Sequence, residues 1–235
     1  MGEDQAFIYF NDGIHEKIDE TPEQLARIRL SYKNPRPNGL PGNSEFDTVS
    51  ELEEEMETFS KKNGDFYVGR VTVAGYRYFY VYTQTSNKQW EAFIADLSTR
   101  LDYELAISFR NDPEHAGYWN ELYPGDDDWQ VIKDMDVLEN LQENGDIAGR
   151  KRQVRHWAYF ETKSNADSFA DWIAEKDYQL LSNGQDNESG EHLVLFMHVG
   201  TMELGDITRH TIASSRKARE LSGRYDGWET RVEQE

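Results

Sequence analysis

The stretch Arg150–Phe160, RKRQVRHWAYF, decides how the chain divides and folds. Five of its first seven residues are Arg, Lys or His, on a chain of 235 residues with a formal charge of −20. Trp157, Ala158, Tyr159 and Phe160 follow as strand material, because aromatic side chains suit a pleated, half-buried surface. Just upstream, Asn144-Gly145-Asp146 is a turn signal. A turn, a charge shift and a new strand coincide here. The stretch therefore reads as a domain joint, with domains expected at 1–148 and 149–235.

Downstream of the joint, alternation and helical spacing take turns. Val154–Glu161 reads as a strand, and Ser164 is placed to cap a helix with Phe169, Ala170, Trp172 and Ile173 on its apolar face. Tyr178–Leu181 and Glu191–Val199 read as strands around the polar turn Asn183–Gly190. Asp206 is placed to cap a last helix with Ile207, Thr211, Ser214, Ala218 and Leu221 inward. Tyr225–Thr230 closes the set. The order βαββαβ is the ferredoxin-like pattern.

Upstream, Ala6–Phe10 and Arg27–Lys33 read as strands, and the Pro- and Gly-rich run Asn34–Asn43 as a loop. Phe46–Asn63 has Val49, Leu52, Met56 and Phe59 at helical spacing. Its Glu51, Glu53, Glu54, Glu55 and Glu57 read as an exposed acidic surface, since carboxylates spread around a helix do not converge on one ion. Phe66–Val73 and Tyr76–Gln84 form a hairpin about Ala74-Gly75. The row Tyr76, Tyr78, Tyr80, Tyr82 has the look of a base-stacking platform, but it lacks basic neighbours in the sequence and reads as packing under a helix. Trp90, Phe93, Ile94, Leu97 and Leu101 mark a second helix, followed by a strand at Glu104–Arg110. Asp126, Asp127 and Asp128 open a helix through Glu143, where carboxylates cap free N–H groups and favour the dipole. Val131, Met135 and Leu138 read as its buried side. The expected class is α+β, with two α/β sandwiches of antiparallel sheet covered by helices.

Composition narrows the function. Residues before Arg150 hold 13 basic and 30 acidic side chains, and those from Arg150 onward 12 and 15. Such acidity opposes unaided binding to nucleic acid or anionic membrane and suits a basic protein partner. Without cysteine, disulfides and thiolate metal sites are excluded. MGEDQAFIYF is no signal peptide, Ala6 stands where a myristoylation motif wants Ser or Thr, and no apolar run reaches membrane length. A cytoplasmic protein without a cofactor is the expectation. The sequence contains no phosphate-binding loop, dinucleotide fingerprint, nucleophile elbow or His-Glu-x-x-His. His192 and His198, six apart on one strand, lie too far apart to share a metal.

Arg155-His156-Trp157-Ala158-Tyr159-Phe160, the helix with Phe169, and Tyr225-Asp226-Gly227-Trp228 resemble the RraB-type regulators of ribonuclease E. Leu122-Tyr123-Pro124, with Val137-Leu138-Glu139 and Asn144-Gly145-Asp146, resembles the DUF695 domain often found before that module. The resemblance implies a bacterial protein that is not an enzyme and that binds and inhibits a ribonuclease scaffold. His156, Trp157, Tyr225, Asp226 and Trp228 are the expected partner-binding residues, with Trp228 as core packing the plainer alternative. The competing readings are an RNA-binding module using the C-terminal sheet with Arg150, Lys151, Arg152 and Arg155, and an uncharacterised enzyme.

Overall fold

The computed structural model describes residues 6–234, and the chain forms two compact units, Met1–Tyr123 and Pro124–Glu235. In the first unit β1 (Phe7–Phe10), β2 (Gln24–Ser31), β3 (Phe66–Val73), β4 (Tyr76–Tyr82) and β5 (Leu105–Asn111) form an antiparallel sheet of order β1-β3-β4-β2-β5. Helices α1 (Phe46–Asn63) and α2 (Asn87–Leu101) cover one face. Val49, Leu52 and Met56 of α1 and Trp90, Ile94 and Leu97 of α2 bury against Ile28, Leu30, Phe79 and Val81. Ala74 and Gly75 both take positive φ, as a two-residue hairpin loop requires.

The tyrosine row packs on the other face. Tyr80 and Tyr82 lie with Ile14 and Ile18 of the 3₁₀ segment Asp12–Glu20, and with Tyr118 and Leu122 around the short helix α3 (Ala116–Trp119). So Tyr80 and Tyr82 lie beneath these segments and not under α1 or α2, Tyr78 is half-buried at their edge, and Tyr76 is exposed. Basic neighbours do exist, supplied across the strand pairing: Arg27 lies 5.1 Å from the Tyr78 ring and Arg29 5.4 Å from that of Tyr76. Gly69 sits at a bulge in β3 with φ 152°, where an added Cβ would meet the Tyr9 carbonyl oxygen at 2.4 Å. The missing side chain lets β1 approach.

In the second unit β6 (Arg152–Phe160), β7 (Gln179–Gln185), β8 (His192–Gly200) and β9 (Gly223–Glu229) form an antiparallel sheet of order β7-β8-β6-β9. Helices α5 (Lys163–Ala174) and α6 (Leu204–Glu220) complete βαββαβ, the expected ferredoxin-like order. Their faces bury Phe169, Ile173 and Ala218 on Ala158, Phe160, Val194 and Phe196. Thr162, not Ser164, caps α5, accepting from the Asn165 amide. Asp206 lies within the first turn of α6, where it accepts from the amide and hydroxyl of Thr201.

Helix α4 (Asp126–Glu143) lies in this second unit and packs on α6. The expected joint at 148/149 had counted it with the first half. Division after Tyr123 also evens the charge: 12 basic and 22 acidic residues before it, 13 and 23 after it, a net of −10 on each side. No helix among the described residues is long and apolar enough to cross a membrane.

Candidate functional site

Helix α4 is held by its own acidic residues. Asp128 accepts from the Gly125 amide, while Asp127 pairs with Arg216 and Arg219 of α6. About two turns further, Asp134 is 0% exposed. It accepts from Gln130 at 3.0 Å, from the Trp228 indole at 2.8 Å, and from Thr211 of α6. Burial raises the Asp134 pKa, and its three donors oppose that rise. The inward face of α4 is thus Gln130, Asp134 and Leu141. Of Val131, Met135 and Leu138, expected there, Leu138 is half-buried against the cluster of Leu141 and Trp228 and Val131 is half-buried, whereas Met135 is 51% exposed. Three donors outweigh a thioether's preference for the interior.

Strand β9 reaches Asp134 through a bulge. Gly227 stands opposite Trp157 and Tyr225 opposite Ala158, so Asp226 is the extra residue. Gly227 takes φ 141° there. The bulge lets Tyr225 and Trp228, three apart, both point inward. Behind them lies a buried polar ladder. Tyr225 Oη is 2.7 Å from His156 Nδ1, and His156 Nε2 is 2.8 Å from His198 Nδ1. The His198 ring stacks on that of His210 from α6 at 3.8 Å, and His210 Nδ1 meets Tyr178 Oη at 2.9 Å. His198 Nε2 is buried without a hydrogen-bond partner, beside Gly200, where a Cβ would come within 2.8 Å of it.

Burial, then the charges of His198 and His210, holds the His156 pKa well below its ordinary value. Burial and His210 bring that of His198 to about 4. Burial and Arg209 lower that of His210. Burial pushes the Tyr225 hydroxyl well above its usual range. The ladder is therefore neutral at physiological pH and works as internal hydrogen bonding. Among the described residues, no group of three or more His, Asp or Glu could hold a metal ion.

The expected partner-binding residues divide accordingly. His156, 0% exposed, cannot touch a partner, and its place was legible, since alternation puts it on the face of Val154, Ala158 and Phe160. Tyr225 gives its hydroxyl to the ladder, and Trp228 is core, at 9% exposed. Trp157, Asp226 and one edge of Trp228 do meet, in an open cleft of about 420 Å³ between α4 and β9 that Lys133, Tyr159 and Glu229 also line. Asp134, the residue that organises this cleft, was missed because two of its donors lie 77 and 94 positions away.

Two further expectations are corrected. Glu53 does not belong to the exposed acidic surface. It is buried, accepts from Tyr67 at 2.8 Å, and pairs with Arg70 and Arg77. Glu51, Glu54 and Glu57 are exposed, and the half-buried Glu55 pairs with Arg100. Arg152 is likewise unavailable to RNA. Its side chain is buried against Asp146 and also donates to the Arg150, Ile147 and Arg231 carbonyls.

An antiparallel ferredoxin-like sandwich, preceded by an extra helix and a five-stranded α+β unit, defines the architectural class. Residues 1–123 match the family of unknown function DUF695, and residues 132–230, which begin inside α4, match Regulator of ribonuclease activity B, RraB. The chain belongs to the DUF695 family and carries an RraB domain after that module. No curated protein matches it. Two solved structures align over most of the chain. One, a candidate glycine cleavage system transcriptional repressor, is 9% identical over 88% of this chain and 98% of its own, with a TM-score of 0.27. The other, an unknown protein from Galdieria sulphuraria, is 10% identical over 89% and 99%, with a TM-score of 0.23.

Proposed function

We propose that the chain is a non-catalytic regulator that acts in the bacterial cytoplasm. It docks on a basic segment of a ribonuclease E-type endoribonuclease and inhibits it. The observation that supports this reading is the RraB match over the second unit. The surface chemistry agrees with it. Each unit has a net charge of −10, which attracts Arg- and Lys-rich segments and sets up competition with RNA for them. The α4–β9 cleft offers Trp157 as an aromatic contact, and a partner arginine there competes with Arg224 for Asp226 and with Arg155 for Glu229, exposed pairs that cost little to exchange. The proposed domain limits follow the compact units, with α4 working as part of the regulator module.

The test is calorimetric titration of a purified ribonuclease E-type enzyme with the full chain, alongside RNA cleavage. Saturating chain is expected to slow cleavage, and binding to weaken as salt rises. Trp157→Ala with Asp226→Lys should weaken it by about tenfold or more. Cleavage left untouched by saturating chain would sink the reading.

One observation favours a second reading, direct RNA binding. Lys151, Gln153, Arg155 and Arg231 line an open cleft of about 690 Å³ beside the sheet face that bears Trp157 and Tyr159. Retardation of a labelled RNA by the full chain at low salt, abolished by Arg155→Glu, would replace the first reading with this one.

A further inference from the structure

Opposite the α4–β9 cleft, the other flank of α4 forms a groove of about 660 Å³. Met135 and Leu138 from α4 floor it, with Met202 and Leu204 from the start of α6 and the turn before it. Asp136 and Glu139 stand at its rim, and no lysine or arginine lines it. Asp146, also present, is spent on Arg152. Met135 and Leu138 lie three apart on a helix, so they make a continuous apolar stripe. Asp134 fixes the rotation of α4 so that Met135 stands exposed, while the half-buried Leu138 packs on the core cluster of Leu141, Met202 and Trp228 at the groove's floor. Met135 is 51% and Leu204 40% exposed, an apolar surface at the mouth of an acidic groove.

We infer that this groove is a docking surface for a basic amphipathic helix of a partner protein, distinct from the α4–β9 cleft and independent of the ribonuclease reading. Charge complementarity selects the occupant. A helix with an apolar stripe and Lys or Arg on its shoulders buries its stripe on the exposed Met135 and Leu204, above the half-buried Leu138 and the buried Met202, and sets its cations against Asp136 and Glu139. Methionine suits the task, because its flexible, polarisable thioether adapts to different apolar side chains. A second copy of this chain is disfavoured, since pairing two such grooves opposes acidic rims on units that each bear −10. An anionic membrane surface is repelled for the same reason.

The test uses the full chain labelled with ¹³C at its methionine methyls, and a synthetic helical peptide of about 18 residues with leucine on one face and lysine on the other. The Met135 and Met202 signals are expected to move on titration, while Met56, buried in the first unit, and Met197 on β8 stay. Met135→Lys should weaken the peptide about tenfold, and Asp136→Lys with Glu139→Lys should remove most of the salt dependence. Met135→Lys alters an exposed position, and the wild-type spectra answer the question without any variant. The inference is overturned if the Met135 and Met202 signals do not respond to the peptide. It is equally overturned if a glutamate-substituted peptide moves them as strongly, if they shift with protein concentration alone, or if anionic vesicles move them.

Discussion

At the residue scale, the second unit stores its pH dependence in the histidine ladder. In the unfolded chain His198 titrates near 6.5, and in the fold burial and His210 bring its pKa to about 4. Below about pH 6.5 the unfolded chain therefore binds a proton that the fold excludes, and stability falls as pH drops toward the folded value. A depression of that size corresponds to about 3 kcal/mol for His198. His156 and His210 are depressed as well and add to the loss. Asp134, whose pKa is raised, works in the opposite sense, giving stability back as pH falls. Hydrogen exchange of β6 and β8 amides, followed from pH 7 to about pH 4, should show falling protection, and His198→Gln should flatten that slope. An equal slope in the variant would show that the ladder is not its source. A second outcome concerns Asp134. Asp134→Ala strands Gln130, Thr211 and Trp228 together and should cost about 2–4 kcal/mol in urea unfolding, well beyond Trp228→Phe, which removes one donor.

At the element scale, much of the architecture was legible. The bounds of α1 follow directly from Val49, Leu52, Met56 and the Gly64 stop, because its apolar stripe is also its buried stripe. Strand β6 alternates cleanly, and the same alternation that marks the strand also turns His156 inward. Helix α4 follows the same logic only in part, since Leu138 packs on the core and Met135 does not. Its stripe Val131, Met135, Leu138 is real, but helical spacing reports only which residues share a face. Which face is buried was settled by Thr211 and Trp228, distant residues whose hydrogen bonds to Asp134 a linear reading does not reveal. The β9 bulge was hidden for a related reason: Asp226-Gly227 signals a local irregularity without saying where Tyr225 and Trp228 will point. Leu141→Ala should therefore cost about 2 kcal/mol or more, while Met135→Ala should stay within about 0.5 kcal/mol, measured by thermal unfolding. The reverse ranking would mean that α4 is rotated from the face described.

At the scale of the whole molecule, the position of the boundary decides what survives in isolation. A fragment starting at Pro124 keeps Asp134 for Trp228 and Asp146 for Arg152, whereas one starting at Gly149 leaves Trp228, Thr211 and the buried Arg152 without them. Losing one partner of a buried ion pair typically costs about 3–5 kcal/mol. Fragment 124–235 should give a cooperative melt and dispersed NMR spectra, and fragment 149–235 should be largely unfolded or aggregated. Two equally stable fragments would favour the joint at 148/149 over one at Tyr123. The charge makes its own prediction. With a net of −10 on each unit, repulsion within each is strongest at low ionic strength. Raising salt from about 0.02 M to about 0.5 M should lift the melting temperature of the full chain.

The Asp134–Trp228 hydrogen bond joins positions 94 apart. During synthesis α4 leaves the ribosome long before Trp228, so its carboxylate waits in water until nearly all of the second unit has been translated. The strand that completes this unit also completes the helix that precedes it. Messages broken or terminated between codons 124 and 228 would then yield chains with a finished first unit and an open second one, exposed to cellular proteases.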